Sequence, residues 1–336
     1  MLFRSVMRNI ILFFGLIGSL LLSGCEPQTG EQPGVRSVNI CSSMNQDLSK
    51  ALINDFAERT GIMVEFDPLI PLDLQQRLDI LENSKIDIWL GGFAEEYYMA
   101  AERKMLASYL PKSASNLAPQ YMDRNSRWLP LSVDYIALLS NRRNMDKLGI
   151  KAPETWDELL QPVLYKEVAM AKPETGGASF GQITSLWQLR GQEAAMKYAG
   201  VLRTQEVSYL PTDAKAGYEV YCGNKSVAVL PLRYAQALEK EHRFLYAAAV
   251  KDGNKNMITG AAILAKGIHK EESRRFMEYL LSPEAAQIMR AHGIRPLGEM
   301  LRQEGAQREK LLFPNDDLYW IAVRKQELIK DWLNAK

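Results

Sequence analysis

The chain has 336 residues, of which 47% are hydrophobic, and its 41 Lys and Arg side chains nearly balance its 40 Asp and Glu side chains. This even balance, without a basic stripe, excludes nucleic-acid binding through a broad cationic surface. Without the leader described next, roughly 310 residues remain, enough for two lobes of usual domain size. The three histidines are scattered and show no metal-ligand spacing, so the sequence predicts no metal site and no cofactor.

The N-terminal stretch predicts export to the periplasm. Arg4 and Arg8 precede an apolar run at 10–22, which is too short to span a bilayer as a mature helix but is typical of a signal peptide. The run ends in Leu-Ser-Gly-Cys25, which resembles the lipobox of bacterial lipoproteins. The resemblance implies that residues 1–24 are a signal peptide and that Cys25 carries lipid, palmitate included.

A flexible tether follows the expected lipid anchor. Residues 25–36 contain repeated Gly, Pro and Gln, a composition typical of a linker. Among Gram-negative lipoproteins, a residue such as Glu26 after the cysteine is usual for outer-membrane sorting. The sequence does not decide between the inner and the outer membrane. Either membrane would hold the folded part on the extracytoplasmic side.

The first folded stretch, 38–47, reads as a short strand, two serines and the start of a helix. Ser43 and Gln46 stand three residues apart and predict a capping box. Amides in the first turn of a helix lack an intrahelical partner, so Ser42 and Ser43 at this point predict a site for an anion or polar ligand. The alternative is that the serines only cap the helix.

The rest of the chain alternates between strand-like and helix-like segments. The predicted strands cover 37–41, 62–67, 86–90, 129–140, 167–171, 206–210, 226–231, 244–250 and 257–265. The predicted helices cover 47–59, 72–83, 94–106, 154–160, 180–203, 213–222, 233–241, 270–290 and 316–334. This alternation predicts an α/β fold with mainly parallel sheets.

Two of the predicted strands are long enough to cross between two lobes, at 128–140 and 256–266. The crossings divide the chain into lobe one, at 37–132 and 262–336, and lobe two, at 137–257. The two cysteines beyond the tether, Cys41 and Cys222, then fall in different lobes. An exported protein can pair such cysteines, but their separation favours two buried thiols.

Several segments together carry a resemblance to a known family. They are a β-α-β unit at 40–66, the strand Asp-Ile-Trp-Leu-Gly-Gly at 87–92, the crossing strand and its continuation at 128–141 and 148–150, Pro-Glu-Thr-Trp-Asp-Glu-Leu-Leu at 153–160, a strand and Gly-rich turn at 168–179, and Ile-Arg-Pro-Leu at 294–297. Their order and spacing over 37–334 resemble the solute-binding proteins of ABC transporters. The similar branch contains binders of ferric ion, phosphonates, phosphoglycerate and sugar phosphates.

The resemblance implies a two-lobed "Venus flytrap" fold with two crossover strands. It implies reversible capture of a small polar solute between the lobes by a monomer that is not an enzyme and has no cofactor. An ABC permease is the implied partner, and the alternative is a histidine kinase to which the loaded protein acts as a ligand-sensing input.

The ligand residues are expected at the carboxyl ends of the strands, where open α/β sheets bind ligands. The candidates are Ser42, Ser43, Gly92 and Phe93 in lobe one, Tyr135 in the crossover, and Thr175, Gly176, Gly177, Ser179, Arg233 and Tyr234 in lobe two. Each has a structural alternative, such as a helix cap, a Gly-rich turn, core packing or a solvated arginine. Two anion-favouring helix starts and one guanidinium predict an anionic solute, such as an organic phosphate or phosphonate.

The ferric alternative lacks its usual ligands in this sequence. Ferric binders of this branch often carry a histidine just after the first strand and two adjacent tyrosines in lobe two. Here the first strand is followed by Ser42 and Ser43, and the adjacent tyrosines, Tyr97 and Tyr98, lie in a predicted lobe-one helix.

A remote alternative is a secreted esterase. Residues 177–181 match the Gly-x-Ser-x-Gly nucleophile elbow, with Ser179 as nucleophile and His269 or His292 as the later histidine. Five residues separate the preceding strand from this motif, whereas an elbow turns directly off its strand.

Overall fold

The computed structural model describes residues 36–69, 74–117, 119–175, 177–297 and 317–336. The predicted signal peptide, Cys25 and all of the tether except Arg36 lie outside these ranges, as does Gly176. The unit Val35–Lys336 is compact. Within the described ranges, no helix is long and apolar enough to cross a bilayer.

The first of two sheets combines early strands with one late strand. Its members are β1 (Ser37–Ser42), β2 (Met63–Pro68), β3 (Ile88–Phe93), β4 (Leu106–Ala107), β5 (Leu129–Asp134) and β11 (Met257–Leu264). Strand β1 pairs in parallel with β2 and β3, and β11 pairs antiparallel with β3, β4 and β5. We call this sheet with its helices the first lobe.

The second sheet is built from the middle of the chain. Its strands are β6 (Ile136–Asn141), β7 (Val168–Ala171), β8 (Ser208–Leu210), β9 (Val227–Pro231) and β10 (Leu245–Ala249), in the order β10-β6-β9-β7-β8. Strand β7 is parallel to β8 and β9, and β6 is antiparallel to β9 and β10. We call this sheet with its helices the second lobe.

Helices connect most of the strands. They are α1 (Gln46–Thr60), α2 (Leu74–Glu82), α3 (Ala94–Glu102), α4 (Arg142–Leu148), α5 (Gly177–Thr204), α6 (Asp213–Tyr221), α7 (Leu232–Glu241), α8 (Lys270–Tyr279), α9 (Pro283–Ala291) and the C-terminal helix (Leu318–Leu333). Two sheets covered by helices confirm the predicted α/β fold. The prediction of mainly parallel sheets is wrong, because four of the described strand pairings are parallel and five are antiparallel.

The chain passes between the sheets twice. Tyr135 separates β5 in the first sheet from β6 in the second, so the predicted strand 129–140 does cross, as two strands. The return runs through 250–256. The second predicted crossing strand, 256–266, does not itself cross, because β11 lies wholly in the first sheet.

A buried asparagine ties the two passages together. Asn254 accepts a hydrogen bond from the Ile136 amide at 2.7 Å and donates to the Ile136 carbonyl at 2.8 Å. Its side-chain amide also donates to the Val250 carbonyl at 2.9 Å. The Val250 amide also donates to the Ile136 carbonyl, at 3.0 Å, so several hydrogen bonds hold the two passages together.

Some predicted helices are shorter or interrupted. The predicted helix 270–290 is two helices, because Ser282 caps α9 and Pro283 occupies its first turn. The predicted helix 94–106 ends at Glu102, since Leu106 already belongs to the first sheet. The predicted helix at 154–160 is only a 3-10 turn, Asp157–Leu160.

The C-terminal helix packs against both lobes. It contacts α5 of the second lobe and α3 of the first. Its apolar side chains Ile321, Leu328 and Trp332 belong to the same buried cluster as Trp156 and Phe180 of the second lobe. The sequence placed 262–336 in lobe one, whereas this helix completes the core of the second lobe.

The two described cysteines are unpaired and lie in different lobes, as expected. Cys41 is buried in β1, and burial raises the pKa of its thiol. Cys222 is exposed after α6, so the prediction that both thiols are buried is wrong for this one.

Candidate functional site

The loop after β1 is held by its own hydrogen bonds. Ser42 is 2% exposed and its Oγ accepts a hydrogen bond from the Met44 amide at 3.1 Å. The same Oγ lies 2.8 Å from Ser49 Oγ, which itself donates to the Asn45 carbonyl at 3.0 Å. The Ser42 hydroxyl therefore donates to Ser49, and both of its roles are occupied within the loop.

The predicted capping box at the start of α1 is wrong. Asn45 is the cap, and its Oδ1 accepts hydrogen bonds from the amides of Asp47 and Leu48 at 2.9 and 3.1 Å. The Ser43 amide instead donates to the Leu90 carbonyl of β3 at 3.0 Å. Asn45 thus forms hydrogen bonds with helix-start amides that were predicted to be free for a ligand.

The glycines at the end of β3 have packing roles. Gly91 has a φ of +91°, and a Cβ there would lie 2.8 Å from the Met44 amide nitrogen. A Cβ on Gly92 would lie 2.6 Å from the Trp89 ring, and its amide donates to Tyr97 Oη at 2.9 Å. The next residue, Phe93, is partly buried and packs against the apolar cluster of the second lobe.

The crossover places a carboxylate beside the predicted arginine. The Arg233 amide lies 3.4 Å from both Asp134 carboxylate oxygens, and its Nε is 4.0 Å from one of them. Tyr135 is 2% exposed and its carbonyl accepts from the Leu232 amide at 2.8 Å. The start of α7 is therefore fastened to the crossover, with the Arg233 charge close to that of Asp134.

The predicted Gly-rich turn leads into α5 through the 3-10 turn Pro173–Thr175. Thr175 donates its hydroxyl to the Lys172 carbonyl at 2.8 Å. Gly177 begins α5 with a φ of +78°. Ser179 lies inside the first turn, is 1% exposed, and its Oγ has no hydrogen-bond partner in the described part of the chain.

An unpredicted carboxylate faces this helix start. Asp213, the first residue of α6, has its Oδ2 2.8 Å from the position of a Cβ on Gly177. Burial of the carboxyl group, assisted by the negative charge of Asp134, raises the pKa of Asp213 to about 7. Its Oδ1 is inaccessible and has no hydrogen-bond partner among the described residues, although the residue as a whole is partly exposed.

Tyr234 lies on the second-lobe side of the same region. It is partly buried, and burial raises the pKa of its phenol. Its ring carbon Cε1 would be 3.0 Å from a Cβ on Gly217 of α6, so α6 and α7 approach closely here.

A buried ion cluster joins both lobes to the C-terminal helix. Glu96 of α3 pairs with Arg77 of α2 at 2.8 Å and with Lys325 of the C-terminal helix at 3.6 Å. The Lys325 ammonium lies 4.7 Å from the ring centroid of Phe180 in α5. The Lys255 ammonium, from the linker before β11, lies 5.8 Å from the same centroid.

A cavity of about 670 Å³ borders this cluster. Leu74, Gln75 and Gln76 of α2 and Met99 of α3 line it from the first lobe, and Glu174 lines it from the turn before α5. Lys325, Gln326, Ile329 and Lys330 line it from the C-terminal helix, together with Leu333 and Asn334. Its volume lies within the usual range for small-molecule sites, about 300–1,000 Å³.

The predicted residues thus fall into two groups. Ser42, Ser43, Gly92 and Phe93 follow strands of the first lobe, and Thr175, Gly177, Ser179, Arg233 and Tyr234 follow strands of the second, with Tyr135 at the crossover. No hydrogen bond within the described ranges joins Ser42 to Ser179. Contacts between the lobes include those of Phe93 and Lys325.

Sequence reasoning missed Asp213, Lys255 and Lys325. The sequence could have indicated that Lys325 is buried, because it lies four residues from Ile321 and seven from Trp332, on the apolar face of its helix. Lys255 lies between two asparagines at the end of a lobe linker, a weaker signal. For Asp213, the available sequence signal was only its position soon after a predicted strand.

The structure does not place Ser179 in a nucleophile elbow. Residues 177–181 lie within α5, after a 3-10 turn, and do not form a sharp strand-to-helix elbow. No described histidine bonds to the Ser179 hydroxyl; His269 pairs with Asp87 at 2.8 Å, and His292 bonds to a backbone carbonyl in its own helix.

Metal ligands of the common acidic, histidine and cysteine types are not grouped in the described residues. No three such side chains there are placed to hold a metal ion. The Tyr97 hydroxyl, one of the adjacent pair, donates to the Gly260 carbonyl at 2.8 Å and is buried.

Comparison with known proteins decides the family. The sequence model for bacterial extracellular solute-binding proteins matches residues 37–295. The chain belongs to this family. Curated relatives include an uncharacterized protein of Haemophilus influenzae, 24% identical over 212 residues (61% of each chain). Another is the phosphoglycerate transport regulatory protein PgtC of Salmonella typhimurium, 20% identical over 268 residues (76% of this chain, 65% of PgtC).

This solute-binding protein spans a little under two thirds of the length of those two relatives. Among solved structures, the periplasmic binding protein P5PA superposes with a TM-score of 0.75 at 22% identity, covering 89% of this chain and 99% of P5PA. The periplasmic binding protein AfuA of Actinobacillus pleuropneumoniae, with fructose-6-phosphate bound, gives 0.78 at 20% identity, covering 89% and 98%. Iron-bound HitA of Pseudomonas aeruginosa gives 0.72 at 19% identity, covering 88% and 99%. These matches confirm the two-lobed binding-protein fold.

Proposed function

We propose that this solute-binding protein captures a small phosphorylated or otherwise anionic solute between its lobes and delivers it to an ABC permease. The observation that carries the proposal is the position of α5. Glu174, three residues before α5, lines the 670 Å³ cavity together with α2 of the first lobe, so the start of α5 lies at the boundary between lobes. A helix start offers free amides and the positive end of the helix dipole to an anion.

Two comparisons support an anion as the solute. AfuA is described with fructose-6-phosphate bound, and PgtC is named for phosphoglycerate transport. The proposed ligand residues in the second lobe are Thr175, Gly176, Gly177, Ser179, Arg233 and Tyr234, and Phe93 is proposed to contact the solute from the first lobe. Ser42 is proposed to act indirectly, by holding the loop after β1, because its hydroxyl is already hydrogen-bonded within that loop.

Capture would proceed by lobe closure about the two passages at Tyr135 and 250–256. A solute that contacts both lobes favours the closed form, because only that form satisfies both sets of contacts. This step requires no covalent chemistry, in keeping with a family of binding proteins.

A thermal-shift screen tests the proposal. We expect 3-phosphoglycerate and fructose 6-phosphate to raise the melting temperature of the purified protein, and fructose and glycerol to leave it unchanged. Stabilisation by neutral sugars alone would overturn the anion proposal. Stabilisation by ferric ion alone would favour the iron-binding function for which HitA is a structural precedent.

The lipid anchor and the partner belong to the same proposal. Lipidation of Cys25 would hold the protein at the periplasmic face of a membrane, next to an ABC permease. Neighbouring genes distinguish the alternatives: permease and ATPase genes indicate uptake, and a lone sensor-kinase gene indicates signalling.

A further inference from the structure

The linker before β11 buries a lysine without a counter-ion. Lys255 is 2% exposed, and its ammonium has no hydrogen-bond partner among the residues that the structure describes. Its stem runs past α5, where its Cδ is 3.6 Å from the position of a Cβ on Gly181. A buried ammonium without partners is strongly unfavourable, because it has lost its water and gained nothing in exchange.

The surroundings of Lys255 add positive charge. Lys325 is also 2% exposed, its ammonium lies 4.7 Å from the Phe180 centroid, and Lys255 lies 5.8 Å from that centroid. Glu96 faces Lys325 at 3.6 Å but is held more closely by Arg77 at 2.8 Å. Lys255 and Lys325 thus both lie near Phe180, and within the described ranges Lys325 has one ion pair, with Glu96, while Lys255 has none.

The ring of Phe180 compensates only part of this charge. A cation near an aromatic face gains less free energy than an ammonium loses when it is buried. Phe180 lies in the first turn of α5, whose dipole also favours negative charge there. The two lysines and the helix dipole therefore make a place suited to an anion, whereas the ring face itself attracts only the cations.

We propose that Lys255 and Lys325 supply the fixed positive charge that binds the anionic group of the solute beside the first turn of α5. This inference rests on the proposed capture of an anion. It replaces Arg233 as the main charged ligand, since that guanidinium already faces Asp134. Lys325 lines the 670 Å³ cavity, and its buried ammonium lies behind that lining.

The arrangement also gives closure a physical basis. Lys325 belongs to the C-terminal helix, ion-pairs with α3 of the first lobe and contacts the ring of Phe180 in the second. An anion held by both lysines joins these elements and adds the missing negative charge. The open and unliganded protein lacks that charge.

The test compares Lys255→Met with Lys240→Met, which removes the same charge from an exposed position on α7. Affinities for inorganic phosphate and 3-phosphoglycerate are measured by titration calorimetry, and unliganded melting temperatures by circular dichroism. Lys255→Met should weaken the binding of both anions by at least about 30-fold, as expected when a buried charge partner is lost. Lys240→Met should bind as the wild type does.

The unliganded variant provides the second readout. Lys255→Met should melt at a higher temperature than the wild type, because it removes an uncompensated buried charge. If Lys255→Met binds 3-phosphoglycerate as tightly as the wild type, the inference is wrong while the proposed function stands. If the variant melts lower and also loses binding, Lys255 is structural and the inference is again wrong. If the wild type binds no anion, both fail.

Discussion

Individual glycines and polar side chains in the loops after the strands determine how closely the elements approach one another. Gly91 and Gly177 both adopt positive φ, and each lies against a different neighbour, Met44 and Asp213. At Gly91 and Gly92, the lack of a side chain allows the end of β3 to lie close to Met44 and Trp89.

Substitution of Gly91 tests this packing role. Gly91→Ala introduces a Cβ at positive φ and against the Met44 amide, so it should lower the free energy of unfolding by about 3 kcal/mol or more. Gly61→Ala is the matched control: its φ is +67°, but no atom lies within 4 Å of the new Cβ. The control should lose about 1 kcal/mol from backbone strain alone. Equal losses in urea unfolding would contradict the steric explanation.

Asp213 predicts a pH dependence of stability. Its pKa is about 7 in the folded protein and 3.8 in its ordinary state, so the folded form holds the proton more tightly. The stabilisation is complete below the lower value and is lost as the pH rises through about 7. Asp213→Asn removes this loss of stability. The free energy of unfolding of the variant, relative to that of the wild type, should therefore increase by about 1–2 kcal/mol from pH 5 to pH 8.

The measurement is the urea midpoint at both pH values. Asp146→Asn serves as the control, because it removes one exposed carboxylate from α4. An advantage of Asp213→Asn that is the same at both pH values would contradict the raised pKa of Asp213. The same variant should also bind inorganic phosphate more tightly at the higher pH, since it removes a negative charge near the start of α5.

At the scale of elements, the C-terminal helix is the main surprise. Sequence periodicity predicted the helix itself, at 316–334, and the structure has it at Leu318–Leu333. Its partner could not be read from that pattern, because an apolar face does not specify the surface that it covers. The helix packs on α5 of the second lobe as well as on α3 of the first.

Trp332→Ala tests the contribution of this helix. Trp332 is 3% exposed and its ring lies 5.9 Å from that of Tyr198 in α5. Removing it should cost about 3–5 kcal/mol of stability, as for other buried tryptophans. Tyr319→Ala on the same helix is the control, because Tyr319 is 51% exposed and should cost less than 1 kcal/mol. Similar urea midpoints for the two variants would show that the helix does not complete the second core.

At the scale of the molecule, the lobes are linked by two passages and by one helix that belongs to both. The passages are cross-linked by Asn254, which fixes the positions of Ile136 and Val250. The proposed closure would bend the chain next to this clamp. The C-terminal helix would restrict that motion further, because it contacts α3 and α5 together.

Small-angle scattering tests closure directly. A saturating amount of 3-phosphoglycerate should decrease the radius of gyration, because contacts on both lobes favour the closed form. Lys255→Met should show no decrease at the same concentration if its affinity is reduced as proposed. An unchanged radius for the wild type at proven saturation would contradict capture by closure.

The sequence by itself determined the local structure. Each of the nine predicted strand segments overlaps a strand of the structure, and most helices were located, because core-facing positions must be apolar at spacings fixed by backbone geometry. The two-residue strand β4 was missed, and the segment 129–140 is two strands. The sequence also carried the resemblance that the family match and the superpositions later confirmed. Its error at α1 was local, since Asn45 and Ser43 are both good caps and only the loop's path selects one.

Only the tertiary structure decided which charges meet. Glu96 pairs with Arg77 and Lys325, and Lys325 and Lys255 both lie near the ring of Phe180, although up to 248 positions separate these residues along the chain. Spacing along a strand or helix carries no information on such encounters. Burial makes the ammonium of a lysine favour a bound anion, because a charge is costly where water is absent and no counter-ion replaces it.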